Sequence, residues 1–361
     1  MLMTMKTAPA YYTSKGGAFI GDSRELLEEL PDGSVNLVIT SPPFALQRQK
    51  EYGNLDQHEY IDWFLEFGRI AHRKLRDDGS FVVDFGGAYI KGLPARSLYN
   101  FRVLIRMVDE LGFFLAEDFY WFNPSKLPSP IEWVNKRKLR VKDSVNTVWW
   151  FSKTEWPKSD ITKVLAPYSD RMKKLIEDPD KFYTPKARPS GHDIGKGFAK
   201  DNGGAIPPNL LQISNSESNG QYLSGCKAVG IKSHPARFPA KLPEFFIRML
   251  TEPDDLVVDI FCGSNTTGQV AEQEGRRWMA FETLPEYVAA SSFRLLDRDT
   301  PLEVMKSIYA RILAGESVNI EEYLRQSRLD LREVLDGSAS APKPRHPGDE
   351  RSRLGHRLHH P

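Results

Sequence analysis

Leu256-Val257-Val258-Asp259-Ile260-Phe261-Cys262-Gly263-Ser264-Asn265-Thr266-Thr267-Gly268 decides the fold. Its first five residues are mostly apolar and β-branched, the kind of short run a parallel sheet buries on both faces. A turn at Gly263 follows, and residues 266–274 read as a helix closed by Gly275. Strand, glycine loop and helix N-terminus together bring free backbone N–H groups to a ligand. Residues 278–281 read as the next strand, with Glu282 at its end. An acid about twenty positions past such a loop suits a ribose diol. The loop lacks the full dinucleotide fingerprint, because Asn265 stands where a second glycine is usual. Asn is one of the few side chains that tolerate positive φ, so the loop can still close. Asp259, Phe261, Gly263, Ser264, Asn265, Thr266 and Glu282 are therefore expected around a nucleotide cofactor.

More than two hundred residues upstream, the apolar run 35–39 feeds directly into Thr40-Ser41-Pro42-Pro43-Phe44. This is the pattern of a pocket for a planar amine. The exocyclic amine of cytosine or adenine is a poor nucleophile, because its lone pair is delocalised into the ring. Acceptors aimed at both N–H hydrogens localise that pair. Prolines have restricted φ and no N–H, so a Pro-Pro turn can present its carbonyl oxygens outward and rigidly. Ser41 adds a hydroxyl, and Phe44 a face on which an extruded base can stack.

The two motifs, in this order, resemble those of the β-class DNA amino-methyltransferases, in which the catalytic motif precedes the S-adenosylmethionine loop. The resemblance runs from about residue 21 to 294. It is carried also by residues 41–48, by Phe81-Val82-Val83-Asp84-Phe85-Gly86-Gly87 and by His234-Pro235-Ala236-Arg237-Phe238-Pro239-Ala240-Lys241. It implies that Ser41, Pro42, Pro43, Phe44 and Asp84 serve catalysis. It implies that Asp22 borders the cofactor adenine, that Glu282 takes the ribose, and that His234 and Pro235 close over the methionine end. Ser in place of Asp before the two prolines points within this family to cytosine N4. The resemblance implies the inner cytosine of CAGCTG in double-stranded DNA as the target, protected against a cognate restriction endonuclease. The reaction expected is direct: the target cytosine flips out, its N4 attacks the sulfonium methyl, and no covalent enzyme intermediate forms. An adenine-N6 enzyme shares the whole plan and stays open, as does a non-catalytic DNA-binding protein on a relic cofactor fold. A cytosine-C5 enzyme needs a cysteine nucleophile, typically after proline. Cys226 follows Gly225 and Cys262 follows Phe261, so that chemistry is not expected.

The remaining chain bounds the architecture. Residues 18–20, 35–40, 80–85, 119–122 and 145–151 read as strands. Residues 23–30, 58–75 and 97–111 read as helices. Residues 157–232 lose clear periodicity and gain Gly, Pro, Asn and Ser, apart from a helix-like piece at 169–177; a long irregular stretch inside a folded chain is usually functional. The expected fold is α/β and Rossmann-like. It has a mixed, mostly parallel sheet with helices on both faces, a circularly permuted motif order and an inserted recognition region. Residues 11–155 are read as the first part of the catalytic domain, 156–232 as target recognition, and 233–300 as the cofactor-binding second part. Residues 301–336 are read as C-terminal helices, with helix over 302–335, and 337–361 as a disordered tail.

Net charge is +1, but it is unevenly spread. Residues 131–200 carry 16 Lys and Arg against 9 Asp and Glu, a net +7, which leaves −6 for the rest. Lys136, Arg137, Lys138, Arg140 and Lys142 are the densest part and are expected to meet DNA phosphates. Two cysteines argue for a reducing compartment. No histidine, cysteine and carboxylate grouping has metal spacing, so no metal is expected. With no signal peptide or membrane span in view, a soluble, cytoplasmic monomer is expected.

Overall fold

The computed structural model describes residues 5–44, 57–182, 189, 199–216 and 220–324. The first half runs β1 (Tyr11–Tyr12), β2 (Gly16–Ile20), α1 (Ser23–Glu28), β3 (Val35–Thr40), α2 (Gln57–Lys74), β4 (Leu75–Phe85), α3 (Tyr99–Asp109), β5 (Phe114–Phe122) and β6 (Val145–Ser152). Next come α4 (Asp170–Glu177), α5 (Pro179–Phe182), β7 (Leu210–Gln212), α6 (Gln221–Val229) and α7 (Lys241–Leu250). The chain then returns through β8 (Leu256–Asp259), α8 (Thr266–Gln273), β9 (Arg277–Glu282), α9 (Pro285–Ser291), α10 (Leu302–Leu313) and β10 (Val318–Asn319).

All ten strands join one sheet in the order β10-β1-β2-β9-β8-β3-β4-β6-β5-β7. The centre, from β2 to β4, is parallel; β6 runs antiparallel to both β4 and β5. Every residue of β3 and β8 is buried, as expected for strands covered on both faces. Alternation assigns the faces. Leu37, Val257, Trp278 and Ala280 pack in one core with Phe246, Val270, Val288 and Ile308 from α7 to α10. Val38, Leu256, Val258 and Met279 pack in the other with Leu27, Phe64 and Val103 from α1 to α3. This is a Rossmann-like sheet with helices on both faces.

Its parallel centre positions the site. From β3 the chain passes to β4 on one side, and from β8 it passes to β9 on the other. The switch point falls between β3 and β8, where such sheets leave a crevice at the carboxyl ends of the strands. Leu37 lies opposite Val257 and Val38 opposite Val258, so residues 41 and 263 emerge side by side.

Several readings need correction. Helix does not run through 302–335: α10 ends at Leu313, Gly315 turns the chain at φ 84°, and β10 pairs with β1 before helix resumes at 320–324. Residues 325–335 and the tail at 337–361 lie outside the described residues. The stretch at 157–232 is not all irregular. Its strand β7 extends the main sheet against β5, and α6 packs into the core through Tyr222 and Cys226. Three strand residues and one i, i+4 pair are too few to show a period. Strand β5 starts five residues before the strand read at 119–122, and its added residues Phe114 to Asp118 show no buried side chain. Between β5 and β6 the basic insertion forms a short π-helical turn, Glu132–Lys136.

Candidate functional site

Strand β3 ends at Thr40, whose hydroxyl donates to Asp259 Oδ1 of β8 at 2.7 Å. The next residue, Ser41, leaves the sheet, and its Oγ donates to Asp84 Oδ2 at 3.0 Å. Asp84 is near the end of β4 and 4 % exposed. Asn146 of β6 donates its Nδ2 to both Asp84 oxygens, at 3.0 and 3.3 Å. Burial pushes the Asp84 carboxyl up to about 6, against the opposing pull of the Asn146 and Ser41 hydrogen bonds. Phe44 packs directly on Gly86: a Cβ there would sit 2.3 Å from the ring. The Gly86 carbonyl in turn accepts from the Tyr99 hydroxyl of α3.

Across the switch point, Asp259 organises the glycine loop from beneath. It accepts from Thr40, from Thr267 Oγ1 at 2.6 Å and from Phe261 N at 3.1 Å. Burial pushes its carboxyl up to about 6 as well. Gly263 holds φ at +49°, and its N–H donates to Glu282 Oε2 at 3.1 Å. Burial raises the Glu282 carboxyl too. Asn265 takes the left-handed conformation and caps α8 by accepting from Gly268 N at 2.9 Å. Its amide donates to the Tyr11 hydroxyl at 2.9 Å. Arg294 braces the loop from behind, with its guanidinium on the Ser264 hydroxyl at 2.9 Å and on Gln269 Oε1 at 3.0 Å. The His234 ring lies over Gly263, where a Cβ would meet it at 3.0 Å, and stands edge-on to Tyr287 at 4.5 Å.

One cavity of about 560 Å³ joins the two halves. Ser41, Pro42, Pro43, Phe44 and Asp84 line one end; Asp22, His234, Pro235, Phe261, Gly263, Ser264, Thr266 and Glu282 line the other. Asp22 is also the N-cap of α1, accepting from Arg24 N at 2.8 Å. Its hydrogen bonds with the Arg24 side chain hold its carboxyl below the usual range. Asp259 and Asn265, expected among the cofactor contacts, are absent from the lining. Both are buried and spend their polar atoms on the loop, on α8 and on Thr40 and Tyr11 behind it, so they shape the cavity without lining it.

None of the five residues of the basic cluster lines the cavity, although Lys142 reaches the backbone of the lining residue Lys126. Lys136 and Arg137 pair with Glu132, and Arg137 also lies over the Trp133 ring at 5.4 Å. Arg140 donates to the Pro94 and Leu139 carbonyls, and Lys142 to the carbonyls of Pro124 and Lys126. All five side chains are exposed.

Other lining residues carried no sequence signal strong enough to find them. Trp63, Phe67 and Trp121 read as ordinary core or surface residues, and Arg237, inside the segment 234–241, is assigned no role of its own by the resemblance. Asn146 had one clue: a polar amide inside the strand Val145–Ser152, otherwise rich in Val and aromatics. Among the described residues no three His, Cys, Asp or Glu are grouped to hold a metal, and no helix is long and apolar enough to cross a membrane.

Comparison with known proteins agrees with this geometry. A family model described as DNA methylase matches residues 35–293, from the start of β3 past the end of α9. The chain is 78 % identical over 316 residues to the Type II methyltransferase M.PvuII of Proteus hauseri, covering 88 % of this chain and 94 % of that one. It is 26 % identical over 316 residues to the Type II methyltransferase M.Cfr9I of Citrobacter freundii, covering 78 % and 88 %. A solved structure titled PvuII DNA methyltransferase (cytosine-N4-specific) superposes with a TM-score of 0.73 at 67 % identity, over 88 % of this chain and 99 % of that one. With both motifs inside the matched residues and the sheet that joins them in place, the chain belongs to the DNA methylase family.

Proposed function

We propose that this protein transfers a methyl group from S-adenosylmethionine to N4 of the inner cytosine of CAGCTG in double-stranded DNA, shielding that site from a restriction endonuclease of the same specificity. One observation carries the reading: Ser41 and Asp84 are hydrogen-bonded to each other in the wall of a cavity whose other end is the Gly263 loop. The likeness to a cytosine-N4-specific relative supports the choice of base and atom.

The residues at the loop end fit the donor. Gly263 offers a surface without a side chain, and Glu282 and Asp22 offer carboxylates for a ribose and an adenine amine. His234 and Pro235 form the wall over the loop. Bound there, S-adenosylmethionine supplies an electrophilic methyl on a sulfonium. At the other end Phe44 is the stacking face for a base turned out of the duplex. The Pro42 carbonyl and Asp84 accept the two amine hydrogens, which localises the lone pair. Ser41 steadies Asp84. Nearly all the acceleration then comes from placement and from electrostatics in a water-poor site.

Residues 156–232 are read as the target-recognition region, and Lys136, Arg137, Lys138, Arg140 and Lys142 as phosphate-binding residues. Replacing Lys136, Lys138 and Lys142 together with Gln is expected to weaken binding to CAGCTG and scrambled duplexes alike. The salt slope should drop by about 0.9 for each phosphate left without its lysine. Titration of both duplexes across a salt series measures it. A weakening confined to CAGCTG duplex would show instead that these lysines read bases.

The reading as a whole is tested by reacting the protein with a CAGCTG duplex and labelled donor, digesting to nucleosides and analysing them by mass spectrometry. N4-methylcytosine at the inner position is expected. N6-methyladenine would favour the rival adenine chemistry, and failure to bind S-adenosylmethionine in calorimetry would favour a non-catalytic DNA binder.

A further inference from the structure

Beyond Asp84 the cavity wall carries a second hydrogen-bonding pattern. Asn146, 8 % exposed, turns its amide nitrogen to Asp84 and so must present its oxygen the other way. Lys126 Nζ donates to that oxygen at 3.4 Å. Asp84, Asn146 and Lys126 all line the cavity. The wall thus runs acceptor, amide, cation. Asn146 bridges the two charges, and Lys126 acts on Asp84 only through space, weakly opposing the rise that burial causes. Among the described residues, the elements packed against Asp84 bring no second cation to it: Tyr99 of α3 spends its hydroxyl on Gly86, and Leu242, Pro243 and Phe246 of α7 are apolar. An ammonium has three N–H donors, and the bond to Asn146 engages one.

The edge of cytosine runs in a matching order. N4 donates, N3 accepts and O2 accepts. Adenine presents an amine and a ring nitrogen in the same sequence, but a C–H where cytosine has O2. An acceptor for the amine cannot tell the two bases apart; a donor placed two atoms further along the edge can.

We propose that Lys126 is a specificity residue that donates to O2 of the extruded cytosine while Asp84 holds the amine. This rests on the reading of the cavity as a cytosine-N4 site. Desolvation in the closed pocket makes the contact selective, because a base without the acceptor leaves a buried ammonium partly unpaired.

The test compares wild type with Lys126→Met on two CAGCTG duplexes, one with cytosine and one with 2-thiocytosine at the target. Sulfur keeps the amine and the ring but is a much weaker acceptor. Single-turnover methylation of the cytosine duplex by wild type comes first: absence of N4-methylcytosine there brings down the cavity reading itself, before any variant is compared. With that established, wild type should methylate cytosine about tenfold to hundredfold faster than 2-thiocytosine, the loss of one charge-assisted hydrogen bond. Lys126→Met should slow cytosine by a similar factor and bring the two duplexes within about twofold, the margin within which independent changes add. A preference for cytosine undiminished in Lys126→Met overturns the proposal, with a shallower salt dependence assigning the ammonium to a phosphate. A wild type indifferent to the sulfur overturns it as well. If Lys126→Met fails to fold, Lys126→Ala with a wild-type melting curve repeats the comparison, since it too removes the donor.

Discussion

Asp84→Ala is expected to slow single-turnover methyl transfer by about 10²- to 10⁴-fold, the range of a positioned proton acceptor, while binding of S-adenosylmethionine stays close to wild type. Asp84 shares its hydrogen bonds with Ser41 and Asn146, whereas the Gly263 N–H is held by Glu282, so the two readouts separate. A comparable loss of donor affinity, or a rate within about threefold of wild type, would make Asp84 a structural residue. The pH dependence follows from its environment. Ionised, Asp84 is a charged, acceptor-only group that suits the amine; protonated, it loses the charge and turns one oxygen into a donor, and burial pushes its carboxyl up to about 6. The rate should therefore hold above that pH and fall as pH drops through it. Stability should move the other way. A buried carboxyl that keeps its proton more tightly than the unfolded chain does, where Asp titrates near about 3.9, stabilises the fold below that pH. It loses that contribution as pH rises from about 4 to about 6, by on the order of 3 kcal/mol. Asp259 is pushed in the same direction and adds its own loss in the same window. Asp84→Asn removes only the first. Urea unfolding at pH 4 and pH 8 should show a smaller difference for Asp84→Asn than for wild type, and an equal difference would contradict this electrostatic picture.

Gly263→Val is expected to weaken S-adenosylmethionine binding by about tenfold or more, with little effect on the melting temperature. The residue holds φ at +49°, a conformation that costs an L-residue roughly 1–2 kcal/mol and a β-branched one more. An added Cβ would also meet the His234 ring at 3.0 Å. The loop can relieve both by leaving the left-handed region, but its N–H then swings away from Glu282 and His234 is pushed from the wall. Donor affinity should fall for this reason alone, since strands β8 and β9 on either side are fully formed without it. Calorimetric titration with the donor measures the change. Unaltered affinity would show that the loop does not cradle it.

Much of this protein was legible residue by residue. The buried run Leu256–Asp259, the glycine turn and the helix after it follow from local rules, because period, turn chemistry and capping act over a few residues. The same is true of Ser41-Pro42-Pro43-Phe44, whose chemistry resides in what proline lacks. The α10 region misled because a glycine turn and a two-residue strand carry almost no local signal. β10 exists because β1 is there to pair with it.

What the sequence by itself determined is therefore the parts: two strand ends, one rigid turn, one glycine loop, and the side chains on them. The tertiary structure alone decided that these parts meet. Hydrogen bonding between β3 and β8 brings residues 41 and 263 to one crevice, and the antiparallel insertion of β6 beside β4 delivers Asn146 to Asp84 and, through it, Lys126 to the same wall. Asp259 and Asn265 show the converse: on loop pattern alone they looked like ligand-binding residues, yet the fold turns them inward. The reason is physical. Which atoms of a motif face a cavity depends on what is packed behind it, and the partners that decide it here, Thr40 for Asp259 and Tyr11 for Asn265, lie 219 and 254 residues away along the chain.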